Sequence, residues 1–203
     1  MFAINANENK EKFKFLCHKY IHRPGLDDLL DWLETTDFYE APASTRFHLM
    51  QEGGLCQHSI NVFDQLCQEY HSEGLIPSDE EEDSATLEEL AIVALFHDIC
   101  KVNFYQISFR NVKNEFGVWE KVPYYTIENQ GLLVGHGYKS ARLVSKYMNI
   151  TDKEYMAITH HMGIETDWNI REVSECFSKN KLALLLHIAD TKAAYIIENE
   201  NNE

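Results

Sequence analysis

Apolar residues recur along this chain at three- and four-residue intervals, the period of amphipathic helices. Over residues 8–21, Phe13, Leu16, Cys17 and Tyr20 share one face, and Pro24 ends the run. Leu26, Leu29, Leu30 and Leu33 mark a short second helix over 25–34. The pair, within 8–36, reads as a support packed on the main body. Over 55–70, Leu55, His58, Val62, Cys67 and Tyr70 fall near one face, so His58 lies on the buried stripe. Thr86 and Glu89 have the spacing of a capping box. In the helix they open, Leu87, Leu90, Ala91 and Ala94 form a core stripe leading to His97-Asp98. After Gly135-His136-Gly137, His136, Ser140, Leu143, Val144 and Tyr147 share a face. Thr151 and Glu154 form a second capping box, opening a helix that reaches His160-His161 and stops at Gly163. Residues 168–180 read as one irregular helix. The last helix, 181–197, places Leu182, Leu186, Ala189, Ala193 and Ile196 at core spacing and carries His187 and Asp190. The polar end, 198–203, is expected to fray.

One stretch breaks the period. Tyr105, Ile107 and Phe109 alternate with Gln106, Ser108 and Arg110; Val118, Trp119, Val122 and Tyr124 follow the turn Asn114-Glu115-Phe116-Gly117. Such alternation around a glycine turn predicts a β-hairpin over 103–127, with Pro123 at an edge or strand end. Its aromatic residues are expected to pack on the helices. The predicted fold is therefore all-α in the main, with a small β-hairpin insertion. A single domain spans 1–203, and its ligand-bearing core covers 48–197. The acidic run Asp79-Glu80-Glu81-Glu82-Asp83 reads as a solvated connector.

Composition narrows the function. With 203 residues, 44% of them hydrophobic, the chain can build a substantial core. Its net charge of −15 argues against a surface that tracks long nucleic acid, which needs clustered Lys and Arg. A small phosphorylated substrate stays open, because bound cations reverse the local field. Cys17, Cys56, Cys67, Cys100 and Cys176 form no CxxC pair, so buried reduced thiols are expected rather than a disulfide framework or a cysteine zinc site. The first residues lack a basic segment followed by an apolar one, and no apolar run approaches the ~20 residues of a membrane span. A soluble, cytoplasmic protein is expected.

The candidate chemistry lies in His58, His97, Asp98, His136, His160, His161 and Asp190. Each falls at the end, or on the inner face, of a predicted helix, the way bundles build metal sites from facing helices. Imidazole and carboxylate without thiolate suit Fe, Mn, Zn, Ni or Co. Adjacent His97 and Asp98 can aim at one place only near a helix end. Lys101 follows one turn later. The loop over 38–54 bears Arg46 and His48 and is a candidate substrate loop. Lys139 lies one turn after His136.

The order H…HD…H…HH…D, with Gly53-Gly54-Leu55-Cys56-Gln57-His58 at its first ligand, resembles the HD superfamily of metal-dependent phosphohydrolases over residues 48–195. His97-Asp98-Ile99-Cys100-Lys101 resembles their HDxGK motif, with Cys100 where glycine is usual. The fuller ligand set is similar to that of the two-metal subset, such as cyclic-dinucleotide phosphodiesterases, without the GYP signature of the signalling enzymes. The resemblance implies one divalent ion on His58, His97, Asp98 and Asp190. It implies a second on Asp98, His136, His160 and His161. It gives Lys101 a phosphate oxygen to bind, with Arg46, His48 and Lys139 as further phosphate contacts. The implied activity is cleavage of a phosphate ester or phosphodiester of a nucleotide, or a related small molecule, by a metal-bridging hydroxide. Two other readings compete: a metal-containing nucleotide sensor without turnover, and a nuclease acting on short oligonucleotides.

Overall fold

Phe13, Leu16 and Cys17 turn inward from α1 (Ala6–Tyr20), and Leu26, Leu29, Leu30 and Leu33 do so from α2 (Leu26–Glu34). The Phe13 ring lies 4.9 Å from that of Phe38 and 5.8 Å from that of Phe96. The first two helices thus enter the main core instead of resting on it. The structure is a computed structural model, and it describes residues 4–75, 77, 85–127, 135–164, 166 and 169–199. The acidic run 79–83 and Trp168 lie outside the described residues.

Helix α3 (Gly54–Ser72) and α4 (Leu87–Phe96) follow, then a 3₁₀ turn (Ile99–Lys101), β1 (Tyr105–Lys113) and β2 (Trp119–Ile127). Helices α5 (His136–Ser145), α6 (Asp152–His160), α7 (Ile170–Lys179) and α8 (Lys181–Lys192) complete the body, and a π-helical turn (Ala193–Ile197) ends α8. Both capping boxes form: the Thr86 and Thr151 hydroxyls accept from the amides of Glu89 and Glu154, whose carboxylates accept from the capping residues' own amides.

Two expectations need correction. The stripe predicted for α4 is replaced by burial on every side. Each residue from Leu90 to Phe96 is fully buried, while Leu87 is exposed. A run this apolar has no polar face to offer solvent, so α4 becomes the central helix, with α1, α3, α6 and α8 around it. The hairpin forms in the predicted place, with Phe109 opposite Pro123 and Arg110 opposite Val122. It does not pack on the helices, however. Trp119 is 65% exposed and Phe116 88%, and Ile107 and Phe109 are exposed as well. Its root, Tyr105 and Ile127, lines the central cavity, and Arg110, Pro123, Tyr124 and Tyr125 border a groove beside the 45–51 loop. No described helix is long and apolar enough to cross a membrane.

Candidate metal centre

The end of α4 solves the problem of two adjacent side chains aiming at one point. His97 keeps helical dihedrals (φ −57°, ψ −31°), while Asp98 leaves them (φ −112°, ψ 13°). The His97 Nδ1–H donates to the Ala94 carbonyl at 2.8 Å. Helix α6 repeats the device: His161 has the same dihedrals, and its Nδ1–H donates to the Ile158 carbonyl at 2.7 Å. With the proton held on Nδ1, each ring turns an unprotonated Nε2 inward. The 3₁₀ turn then brings Lys101 back beside Asp98. Cys100 fits where the motif usually has glycine, because the positive φ of this turn falls on Asn103 (φ 52°).

Glycine is needed elsewhere. A Cβ on Gly54 would stand 2.2 Å from the Leu49 carbonyl oxygen, so only glycine lets the 38–54 loop fold over the start of α3, which carries His58. A Cβ on Gly137 would stand 2.1 Å from the Thr159 carbonyl oxygen, so glycine sets α5 directly against the end of α6.

These elements bring five of the seven expected ligands together. His58 Nε2 lies 3.1 Å from Asp190 Oδ1 and 3.8 Å from Asp98 Oδ2. His97 Nε2 lies 3.5 Å from Asp98 Oδ2 and 3.9 Å from Asp190 Oδ1. His161 Nε2 approaches the other Asp98 oxygen, Oδ1, at 3.6 Å. Lys101 Nζ sits 2.6 Å from Asp98 Oδ2 and donates to the Ala43 carbonyl, which also accepts from the Tyr105 hydroxyl.

Charge separates the members of this cluster. Burial alone would lower the pKa of His58, but the charge of Glu198 and the bonds to Asp190 and Glu198 lift it to about 10. Burial takes His97 down to about 4, against the pull of Asp98. Burial works against ionised Asp98 and Asp190 too. Lys101 and His97 nevertheless hold Asp98 well below the usual carboxylate range, and His58 holds Asp190 below it. Burial would lower His161 and Lys101; Asp98 raises both.

The remaining expected residues lie apart. His136 lines the same cavity, with its Nδ1 3.7 Å from Cys100 Sγ. It joins none of the described sets of three ligand atoms within 4.8 Å of one another. His160 is buried but faces Glu172 Oε1 at 3.5 Å and the ring of Tyr138. His48 lines the cavity, whereas Arg46 borders a neighbouring groove and Lys139 lines neither.

Glu198, the first residue of the polar end read as frayed, is instead buried at the cluster, a position of the candidate site that sequence reasoning missed. Glu198 is 6% exposed, and its carboxylate accepts from His58 Nδ1 at 3.0 and 3.1 Å and from Asn61 Nδ2 at 2.8 Å. His187, carried by α8 three residues before Asp190, donates from Nδ1 to the His161 carbonyl at 2.7 Å.

The cluster floors a cavity of about 490 Å³ whose wall includes Phe47, Lys101, Phe104, Tyr105 and Tyr195. It has the character of a cation site. His97 Nε2, Asp98 Oδ1 and His161 Nε2 are buried without a hydrogen-bond partner among the described residues. Orphans of that kind cost about 1–3 kcal/mol each. The sets His58/His97/Asp190 and His97/Asp98/His161 each hold their ligand atoms within 4.8 Å, close enough for an ion. The donors are nitrogen and oxygen only, as first-row divalent metals accept. The chain matches no protein-family model, no curated protein and no solved structure.

Proposed function

We propose that this chain is a metal-dependent phosphohydrolase of the HD type, acting on a nucleotide or a related small phosphate ester. The observation that carries the reading is the convergence of three imidazole Nε2 atoms on Asp98 and Asp190, with a half-buried lysine against the Asp98 carboxylate. His58, His97, Asp98 and Asp190 would hold one divalent ion. Asp98, through its second oxygen, and His161 would hold another, with His136 on the cavity wall beside it and His160 as the ligand that must turn from Glu172. Such ions supply Lewis-acid activation of water and neutralise phosphoryl charge.

The chain's own groups do the rest. Lys101 offers a half-buried ammonium to a phosphoryl oxygen and offsets charge as it builds in the transition state. His48 stands on the cavity wall near it. Phe47, Phe104 and Tyr195 give the cavity an apolar side against which a base or sugar can lie, and its volume suits a mononucleotide.

The test is metal analysis of the purified chain, followed by a panel of nucleotides and phosphate esters with Mn, Fe, Co, Ni or Zn restored. Turnover of at least one member is expected. Asp98→Ala should lose both bound metal and activity. Full activity in that variant, or tight nucleotide binding without product over hours, overturns the reading.

A further inference from the structure

Three histidines point Nε2 at the same centre, and each has its Nδ1 fixed by a partner. For His97 and His161 that partner is a neutral backbone carbonyl three residues earlier. For His58 it is a buried carboxylate 140 residues away, Glu198, which meets Nδ1 with both oxygens. No local backbone group holds the His58 ring. Its orientation depends on Glu198, and Glu198 in turn is held by Asn61, three residues and one helical turn beyond His58 on α3.

The chain bends its last helix into the geometry this contact requires. Asp190 and Glu198 face the two opposite nitrogens of one imidazole, and eight residues separate them. An α-helix of 3.6 residues per turn overshoots two turns by roughly 80° over eight residues. The wider i→i+5 turns of the Ala193–Ile197 segment take that excess back, and π segments of this kind concentrate at functional sites. Glu198 then closes the segment, with its amide bonded to the Ala193 carbonyl.

Resting on the metal reading above, we infer that Glu198 is a positioning residue for the metal centre: it fixes the His58 ring through Nδ1 so that Nε2 serves as a ligand, and the π turn exists to deliver it. Its oxygens accept from His58 and Asn61, and Oε2 also faces His48 Nε2 at 3.8 Å, so His48, His58 and Glu198 form a further set close enough for an ion; the stoichiometry of Co(II) binding separates a direct ligand from a carboxylate acting through an imidazole. A carboxylate partner also makes the imidazole a stronger donor than a carbonyl partner does, so His58 is the electronically distinct ligand of the three.

Titration of Co(II) into metal-free wild type, Glu198→Gln and Glu198→Ala tests this, with the visible spectrum of bound Co(II) as a second readout and circular dichroism as a check on folding. Glu198→Ala is expected to weaken Co(II) binding roughly 10- to 100-fold and to alter the d–d bands at unchanged stoichiometry. Glu198→Gln keeps a hydrogen-bond acceptor without the charge and should fall between wild type and Ala; it also serves if Ala does not fold. Equal affinity and an unchanged spectrum in the folded variants overturn the inference alone. Loss of one whole equivalent of Co(II), with the remainder bound as before, makes Glu198 a direct ligand and overturns it too. A wild type that binds no divalent ion removes the metal reading itself, and this inference with it.

Discussion

His97 and His161 are built alike, each being the first residue past a helix whose Nδ1–H closes back on a carbonyl of the last turn. This is why the residues of the cluster were legible in the sequence: a polar pair at the end of an apolar run has few other ways to be accommodated. Lys101 was legible for the same reason, one short turn beyond Asp98. Its half-buried ammonium faces the cavity, so Lys101→Ala should leave metal content near that of wild type and lower kcat/KM on the substrate that the panel identifies by about 10²-fold. A variant equal to wild type in steady-state kinetics removes Lys101 from substrate binding. Glu198 was not legible. It opens a run of acidic and amide residues that looks like any solvated tail, and an α-helical projection from Asp190 puts it on the wrong side. His136 and His160 show the converse: their spacing announced ligands, while the packing turns His160 toward Glu172.

At the level of elements, periodicity and capping boxes located the helices to within a few residues, because those signals are local. What the sequence could not show was how helices are tied to one another. Arg23, in the α1–α2 connection, donates to Glu154 Oε2 at 2.6 Å and to the Asn149 carbonyl at 3.2 Å, and pairs with Glu88 at 3.3 Å. It thereby joins the starts of α4 and α6, the two helices whose far ends carry His97 and His161. Glu154 is fully buried, and removing its partner strands a charge. Arg23→Ala is expected to cost about 2–3 kcal/mol, below the figure for a wholly dry pair because Arg23 stays partly wet. Urea unfolding measures it, and a loss under 0.5 kcal/mol, on the order of a surface substitution, would mean that the pair is not structural.

Across the whole molecule, the hairpin stands apart from everything else. Alternation revealed its strands, but nothing in a two-residue period says whether an apolar face will find a partner. Here most of it does not: the ribbon meets the body at its root and beside the 45–51 loop, and its exposed side chains add little to the core. Replacing residues 109–123 with an Asn-Gly turn between Ser108 and Tyr124 should leave the melting temperature within about 2 °C of wild type and any bound metal unchanged. A large fall in melting temperature by calorimetry would show that the hairpin supports the body after all.

The twin helix ends carry a consequence beyond holding two rings. Aligned peptide dipoles leave roughly half an elementary negative charge at the carboxyl end of a helix. Helices α4 and α6 both end at the cluster, so the backbone itself sets a negative potential there before Asp98 or Asp190 is counted. Both helix ends thus favour a cation at the cluster, and on the proposed reading an anionic substrate would approach from the side where Lys101 and a bound metal offset that field.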